Sequence, residues 1–152
     1  MSTPKVSMIA AITMVAALPV ALATMDAHAA GKEVPGSLRA VMEQLGDDMQ
    51  AVTGAISNED WALVARLAPG IAHHPEPPMM QKVRILKWLG TDAGTFRGFD
   101  GRVEEAANAM GEAAERGDGT QVIRAFADLQ QACLACHQKY RAPFVEHFGE
   151  QR

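Results

Sequence analysis

From residue 37 onward, apolar positions recur every three or four residues, and apolar–polar alternation never lasts long enough to make a strand. The spacing predicts a first helix over 37–56, with Leu38, Val41, Met42, Leu45, Met49, Val52 and Ile56 in one stripe. Ser37 suits its N-cap. Gly46 lowers helix propensity at a place where another helix or a bulky cofactor could come close. "SNEDW" opens a second helix: Ser57 or Asn58 caps it, and Glu59 and Asp60 suit the positive end of its dipole. Trp61, Val64, Leu67, Ala68 and Ile71 form its inward face. The run "HHPEPP" then stops any helix, because three prolines in four residues withhold backbone donors and fix φ.

A shorter amphipathic piece over 79–89 turns Val83, Leu86 and Leu89 inward. "GTDAGTFRGFDG", residues 90–101, holds four glycines and reads as a loop with at most one helical turn. Asp100 or Gly101 starts a long helix with Val103, Ala106, Ala107, Met110, Ala113 and Ala114 inward, and "RGDGT" ends it. The last helix begins near Thr120, carries Ile123, Phe126 and Leu129, and meets Pro143, which is expected to kink or end it. "FVEHF" is then a tail that folds back over the bundle. Four main helices and a short one, without strands, predict an all-α chain: an antiparallel four-helix bundle with one extra short helix.

The first thirty residues follow a different pattern. Lys5 is the only charge before Asp26, an apolar run over 6–22 follows it, and Ala27-His28-Ala29 matches the small-x-small pattern of signal-peptidase cleavage. Residues 1–29 are therefore expected to be a signal peptide, and 30–152 a single mature domain exported to the periplasm. Pro19 and the lack of a basic flank after the run argue against a membrane anchor. No second long apolar segment follows, so no membrane is expected to hold the mature form. Cleavage removes Lys5 and Asp26 together, so the formal net charge stays at -4. That mild acidity offers nucleic acid and anionic membranes nothing to hold, and leaves a basic protein partner open.

Both cysteines lie in "CLACHQKYR", residues 133–141, where a structural disulfide would close almost no loop and gain little. Cys133, Cys136 and His137 stand at i, i+3 and i+4, one face of a helix. Two thiols so placed can add to the two vinyl groups of one haem while the imidazole falls beneath its iron. A redox dithiol wants a strand before it and a βαβ setting, which this chain lacks. Structural zinc needs four ligands, and His73 and His74 are the only other paired candidates. Haem attachment is the reading the pattern favours.

Sited near the C-terminus of an all-helical exported chain, "CLACHQKYR" resembles the cytochrome c-prime family. That family is a four-helix bundle with haem on its last helix, at Cys-x-x-Cys-His-x-x-Tyr/Phe-Arg. The resemblance spans the mature chain in helix order and is specific at residues 133–141, with a second patch at "AVMEQLGDDMQAV" in the first helix. It implies one covalent haem c on Cys133 and Cys136, with His137 as proximal iron ligand. It also implies Arg141 and Tyr140 in the haem environment, Arg141 beside the imidazole or a propionate, Tyr140 against the haem edge or the bundle.

In the family a first-helix residue stands over the distal face of the haem. A Met that reaches the iron makes a six-coordinate, low-spin electron carrier. A Leu, Phe or non-ligating Met leaves the iron five-coordinate and responsive to nitric oxide or carbon monoxide. "AVMEQLGDDM" looks like the Met-ligated branch and puts Met42 at the sixth position; Met49, two turns on, competes, and core packing is the plain alternative. The family often has an Arg four residues before this Met, whereas Arg39 is three before it here. Redox protein partners follow from the resemblance, and a homodimer through the first two helices is an option.

Other residues carry weaker signals. His73, His74, Glu76, Met79 and Met80 gather ligand types that suit copper, but adjacent helical residues point about 100° apart. An exposed helix end beside a proline turn explains them without metal. Trp61 and Trp88 read as core or interface residues, and Phe144, His147 and Phe148 as parts of the covering tail. Glu104, Glu105, Glu112 and Glu115 read as a solvated face. No Ser-His-Asp set, phosphate loop or carboxylate pair stands out, so no enzyme is expected. Three functions remain: a single-electron carrier, a gas-binding cytochrome, or a haem-stabilised accessory subunit of a redox complex.

Overall fold

The computed structural model describes residues 36–149; the expected signal peptide over 1–29 and its cleavage site lie outside the described residues. Five α-helices follow in order: α1 (Leu38–Ser57), α2 (Trp61–Ala72), α3 (Met79–Leu89), α4 (Ala93–Glu115) and α5 (Gly119–Gly149), with one 3-10 turn at Gly90–Asp92. Among the described residues there are no strands. Helices α1, α2, α4 and α5 make a four-helix bundle, and α3 is the extra helix in the connection from α2 to α4. Joints over 58–60 and 116–118 are too short for anything but antiparallel neighbours.

Local chemistry sets the helix ends. Ser37 caps α1 as expected, its hydroxyl accepting from the Ala40 N–H at 3.2 Å. Asp60 caps α2, accepting from the Leu63 N–H at 2.9 Å, whereas Ser57 and Asn58 belong to the end of α1. Such a cap contributes about 1 kcal/mol. Gly90 ends α3 with φ at 53°, a left-handed conformation that costs glycine nothing.

The main core stacks small and branched residues from all four bundle helices: Val52 and Ala55, Val64, Ala68 and Ile71, Ala107 and Met110, Val122 and Leu129. Small residues let the helices approach closely. A Cβ added at Gly111 would stand 3.0 Å from the Ala68 Cβ, and one at Gly119 would meet the Trp61 ring at 2.6 Å. Helix α4 packs extensively on both α2 and α5, while α1 leans on α2 and touches α5 only lightly. Gly46 is not such a close approach, since nothing among the described residues lies within 4 Å of a Cβ there.

A second, aromatic cluster joins α3, the start of α4 and the end of α5. Ile85, Leu89 and Tyr140 are buried in it, with Leu38, Trp88, Phe96, Phe99, Phe144 and Phe148 packed around them. Trp88 meets Phe144 and Phe148 edge-on at 5.8 and 5.6 Å and stacks on His147 at 5.8 Å. Phe96 and Phe99 meet the Tyr140 ring at 5.3 and 5.9 Å.

Four expectations are overturned, three of them at this cluster. Residues 93–101 are helical, not loop: Gly94, Gly98 and Gly101 face open space, and their cost of about 1 kcal/mol each is offset by packing of Phe96 and Phe99. Pro143 does not end α5, which runs on to Gly149, so "FVEHF" forms its last turns and is not a folded-back tail. The roughly 3 kcal/mol an internal proline costs is opposed by Phe144 and Phe148 on Trp88. In α3 the inward residues are Ile85, Trp88 and Leu89, leaving Val83 and Leu86 exposed. In α5, Val122 is buried and Ile123 is exposed, one position away from the expected stripe.

Candidate functional site

Helix α5 carries Cys133, Cys136 and His137 on consecutive turns of one uninterrupted helix, so the i, i+3, i+4 geometry expected from the motif holds. Both cysteines are free thiols and half-buried. Cys133 packs against the main core and Cys136 against the aromatic cluster, so the pair spans the boundary between the two. Burial pushes both thiols up; the negative charge of Asp100 raises Cys136 further, and Arg102 opposes it. A thiol so raised is protonated at neutral pH and a poor nucleophile, which weighs against a redox dithiol.

Desolvation is the first cause, and the Arg141 cation the second, that lower the pKa of His137 below its ordinary value. The neutral imidazole, the form that ligates metals, is thereby favoured. Arg141 itself is exposed. Tyr140 is buried, and its hydroxyl has no hydrogen-bond partner among the described residues. The Lys139 ammonium lies 5.1 Å from the Tyr140 ring centre, and Asp92 holds it at 3.1 Å.

Met42 follows the buried Val41 in α1, yet it is 38% exposed and belongs to neither cluster. Met49 packs against the main core. Of the two first-helix methionines, Met49 is therefore the one engaged in packing. The helices that carry Met42 and His137 touch each other only lightly.

These residues fit a covalently held haem. Two half-buried thiols and an imidazole share one helix face, a thioether on α1 stands outside both clusters, and the buried Tyr140 hydroxyl has no hydrogen-bond partner among the described residues. Cys133 and Cys136 would hold the group, and His137 and Met42 would offer nitrogen and sulfur to its iron.

The histidines of the proline turn go elsewhere. His74 Nε2 pairs with Asp100 at 3.1 Å, and His73 Nδ1 lies 3.9 Å from Glu104, so each imidazole meets its own carboxylate on α4. Among the described residues no group of three or more His, Cys, Asp or Glu could hold a metal ion. Met79 and Met80 point outward.

Sequence reasoning missed Asp100, Phe96 and Phe99. Asp100 both pairs with His74 and acts on Cys136, and the two rings enclose Tyr140. A signal for the rings was there: Phe96, Phe99, Val103 and Ala107 continue the three-and-four spacing of α4 backward through the glycines.

A helical bundle with Cys-x-x-Cys-His on its last helix defines a class, the c-type cytochromes of bundle fold. A family model described as Cytochrome C' matches residues 36–141, and the chain belongs to that family. It is also similar to the cytochrome c' of Allochromatium vinosum, 49% identical over 37 residues that cover 24% of this chain and 24% of that protein. The match thus spans about a quarter of that relative's length. No solved structure matches. No helix among the described residues is long and apolar enough to cross a membrane.

Proposed function

We propose that this protein is a periplasmic, monohaem c-type cytochrome that carries single electrons and is not itself an enzyme. When bound, haem supplies a one-electron ferric/ferrous couple. Cys133 and Cys136 fasten it through two thioether bonds, so a small exported domain keeps its cofactor. His137, whose charged form is disfavoured by desolvation and by Arg141, serves as proximal ligand. Met42 is the sixth ligand, and its soft sulfur favours the reduced state. The observation that carries this reading is that Met42 follows the buried Val41 on α1 yet is 38% exposed and packs in neither cluster.

Family membership itself favours a second reading, in which Met42 stands over the iron without bonding and the five-coordinate site binds nitric oxide or carbon monoxide. The test is expression with a haem-attachment system, followed by mass and optical spectra. A mass gain of one haem, lost in Cys133→Ser/Cys136→Ser, supports attachment; no gain sinks both readings. A low-spin ferrous spectrum unmoved by carbon monoxide supports the carrier. A high-spin spectrum that shifts readily with carbon monoxide replaces it with the gas-binding reading.

A further inference from the structure

His74 follows the end of α2, and both nitrogens of its ring face acceptors. Nε2 lies 3.1 Å from Asp100 Oδ1 on α4, and Nδ1 lies 3.3 Å from the Pro75 carbonyl oxygen. A neutral imidazole carries one N–H and can satisfy only one of these acceptors, whereas the imidazolium donates to both. The surroundings are therefore built for the protonated ring. The His74 side chain is 16% exposed, open enough to exchange a proton with water, and that of Asp100 is 57% exposed. The hydrogen bond to Asp100 is the main cause that holds His74 above its ordinary 6.5, with partial burial opposing it. The ring thus changes charge in the range where histidine acts as a switch.

Asp100 ties this ring to the haem anchor. Glu76 also acts on His74, but it pairs with Lys82 of α3. His73 faces a different carboxylate, Glu104, one turn further along α4. Asp100 reaches two ways: it pairs with His74, and its charge acts on Cys136 of α5, where Arg102 opposes it. Phe99, the residue before Asp100, belongs to the same cluster as Cys136 and meets the Tyr140 ring at 5.9 Å. Arg102 in turn lies over the Phe99 ring at 4.3 Å. This part of α4 therefore packs at the part of α5 that carries the second cysteine. With His74 protonated, the pair is neutral; once the proton leaves, a net negative charge remains near Cys136.

We propose that His74 and Asp100 form a proton-binding site coupled to the redox state of a haem held at Cys133 and Cys136. The proposal rests on haem attachment as read above, and not on Met42. A negative charge near the anchor favours ferric iron, and its neutralisation by a proton favours ferrous iron. Proton and electron binding therefore assist each other, and the coupling is reciprocal. One electron passes from a reduced one-electron redox protein to ferric iron, while His74 takes up a fraction of a proton from water. Both are released when the electron moves on. Because Asp100 is more than half exposed, water and salt screen the effect, and the coupling is about threefold in proton affinity.

The test follows the His74 ring resonances of the isotope-labelled, haem-loaded protein from pH 5 to pH 8, in the ferric and the ferrous state, beside its midpoint potential. His74 should bind its proton about threefold more tightly in the ferrous state. The potential should then fall with rising pH by about 30 mV in total, that threefold converted at 59 mV per tenfold for one electron. His74→Gln should flatten the fall. Asp100→Asn should move both His74 titrations to lower pH and raise the potential, whereas Glu104→Gln should leave the His74 titrations unmoved. Identical titration of His74 in the two states overturns the proposal. So does a fall that persists in His74→Gln, or a titration that Asp100→Asn leaves in place. If a variant fails to fold, the wild-type titrations decide alone. A chain that attaches no haem sinks the proposal together with the reading beneath it. A high-spin protein that binds carbon monoxide sinks the carrier alone, provided His74 still titrates differently in the two states.

Discussion

The two clusters of this molecule do different work with different residues. The bundle core is aliphatic and small, Val, Ala, Leu and Met drawn from four helices in regular layers. The second cluster is mostly aromatic and ties three segments together by ring contacts: α3, the start of α4 and the end of α5. Cys133 leans on the first and Cys136 on the second. The cysteine pair proposed to anchor haem therefore sits on the seam between the bundle core and the aromatic cluster. Disturbing either cluster should reach the anchor, but by different routes and to different extents.

The largest effect is expected in the bundle core. Leu129 is fully buried one turn before Cys133, so Leu129→Ala should lower the free energy of unfolding by about 2–5 kcal/mol. Urea unfolding followed by circular dichroism checks this, with loss of all helices in one transition. Trp88→Ala is expected to act locally instead. Amides over 93–101 and 142–149 should exchange faster with solvent while those around Val64 and Met110 keep their protection. Uniform loss of protection would show that the two clusters are one cooperative unit.

That division matches what could be read from the chain. The bundle was legible because its core obeys spacing alone: Val52, Val64, Ala107, Met110 and Leu129 fall where a 3.6-residue period puts them, and the cap at Ser37 is local chemistry, whereas the cap of α2 falls to Asp60 and not to Ser57 or Asn58. The aromatic cluster was hidden because local signals there point the wrong way. Gly94, Gly98 and Gly101 read as loop, and Pro143 reads as a stop. Only contacts between distant segments, Phe99 with Tyr140 and Phe148 with Trp88, overrule them. In α3 both faces are apolar, so periodicity could not say whether Val83 or Ile85 turns inward. At the site, Cys133, Cys136 and His137 were legible as a motif, whereas Asp100 was not, because its role depends on how α4 lies against α5.

A smaller effect tests the strap between the proline turn and α4. The hydrogen bond to Asp100 is the main cause that raises His74 above 6.5, with partial burial working against it. Because the folded value is the higher one, the pair stabilises fully below the unfolded value and loses its contribution as pH rises through the folded one. Asp100 is half exposed, so the gain is under about 1 kcal/mol. The difference in unfolding midpoint between wild type and His74→Gln should shrink from pH 5 to pH 8; a difference independent of pH would exclude the pair. The smallest change is at Tyr140. Its buried hydroxyl has no hydrogen-bond partner among the described residues, so Tyr140→Phe should be neutral or stabilising by about 1 kcal/mol in the haem-free chain. Clear destabilisation only after haem attachment would give that hydroxyl a partner on the cofactor.

The central claim is that Met42, left out of both clusters, closes the iron site opposite His137. Near-infrared absorption of the ferric, haem-loaded protein reads this directly. The account predicts a sulfur-to-iron charge-transfer band that persists in Met49→Ala and disappears in Met42→Ala, which then binds carbon monoxide in the ferrous state. A wild-type protein without that band, or a band unaffected by Met42→Ala, would contradict it.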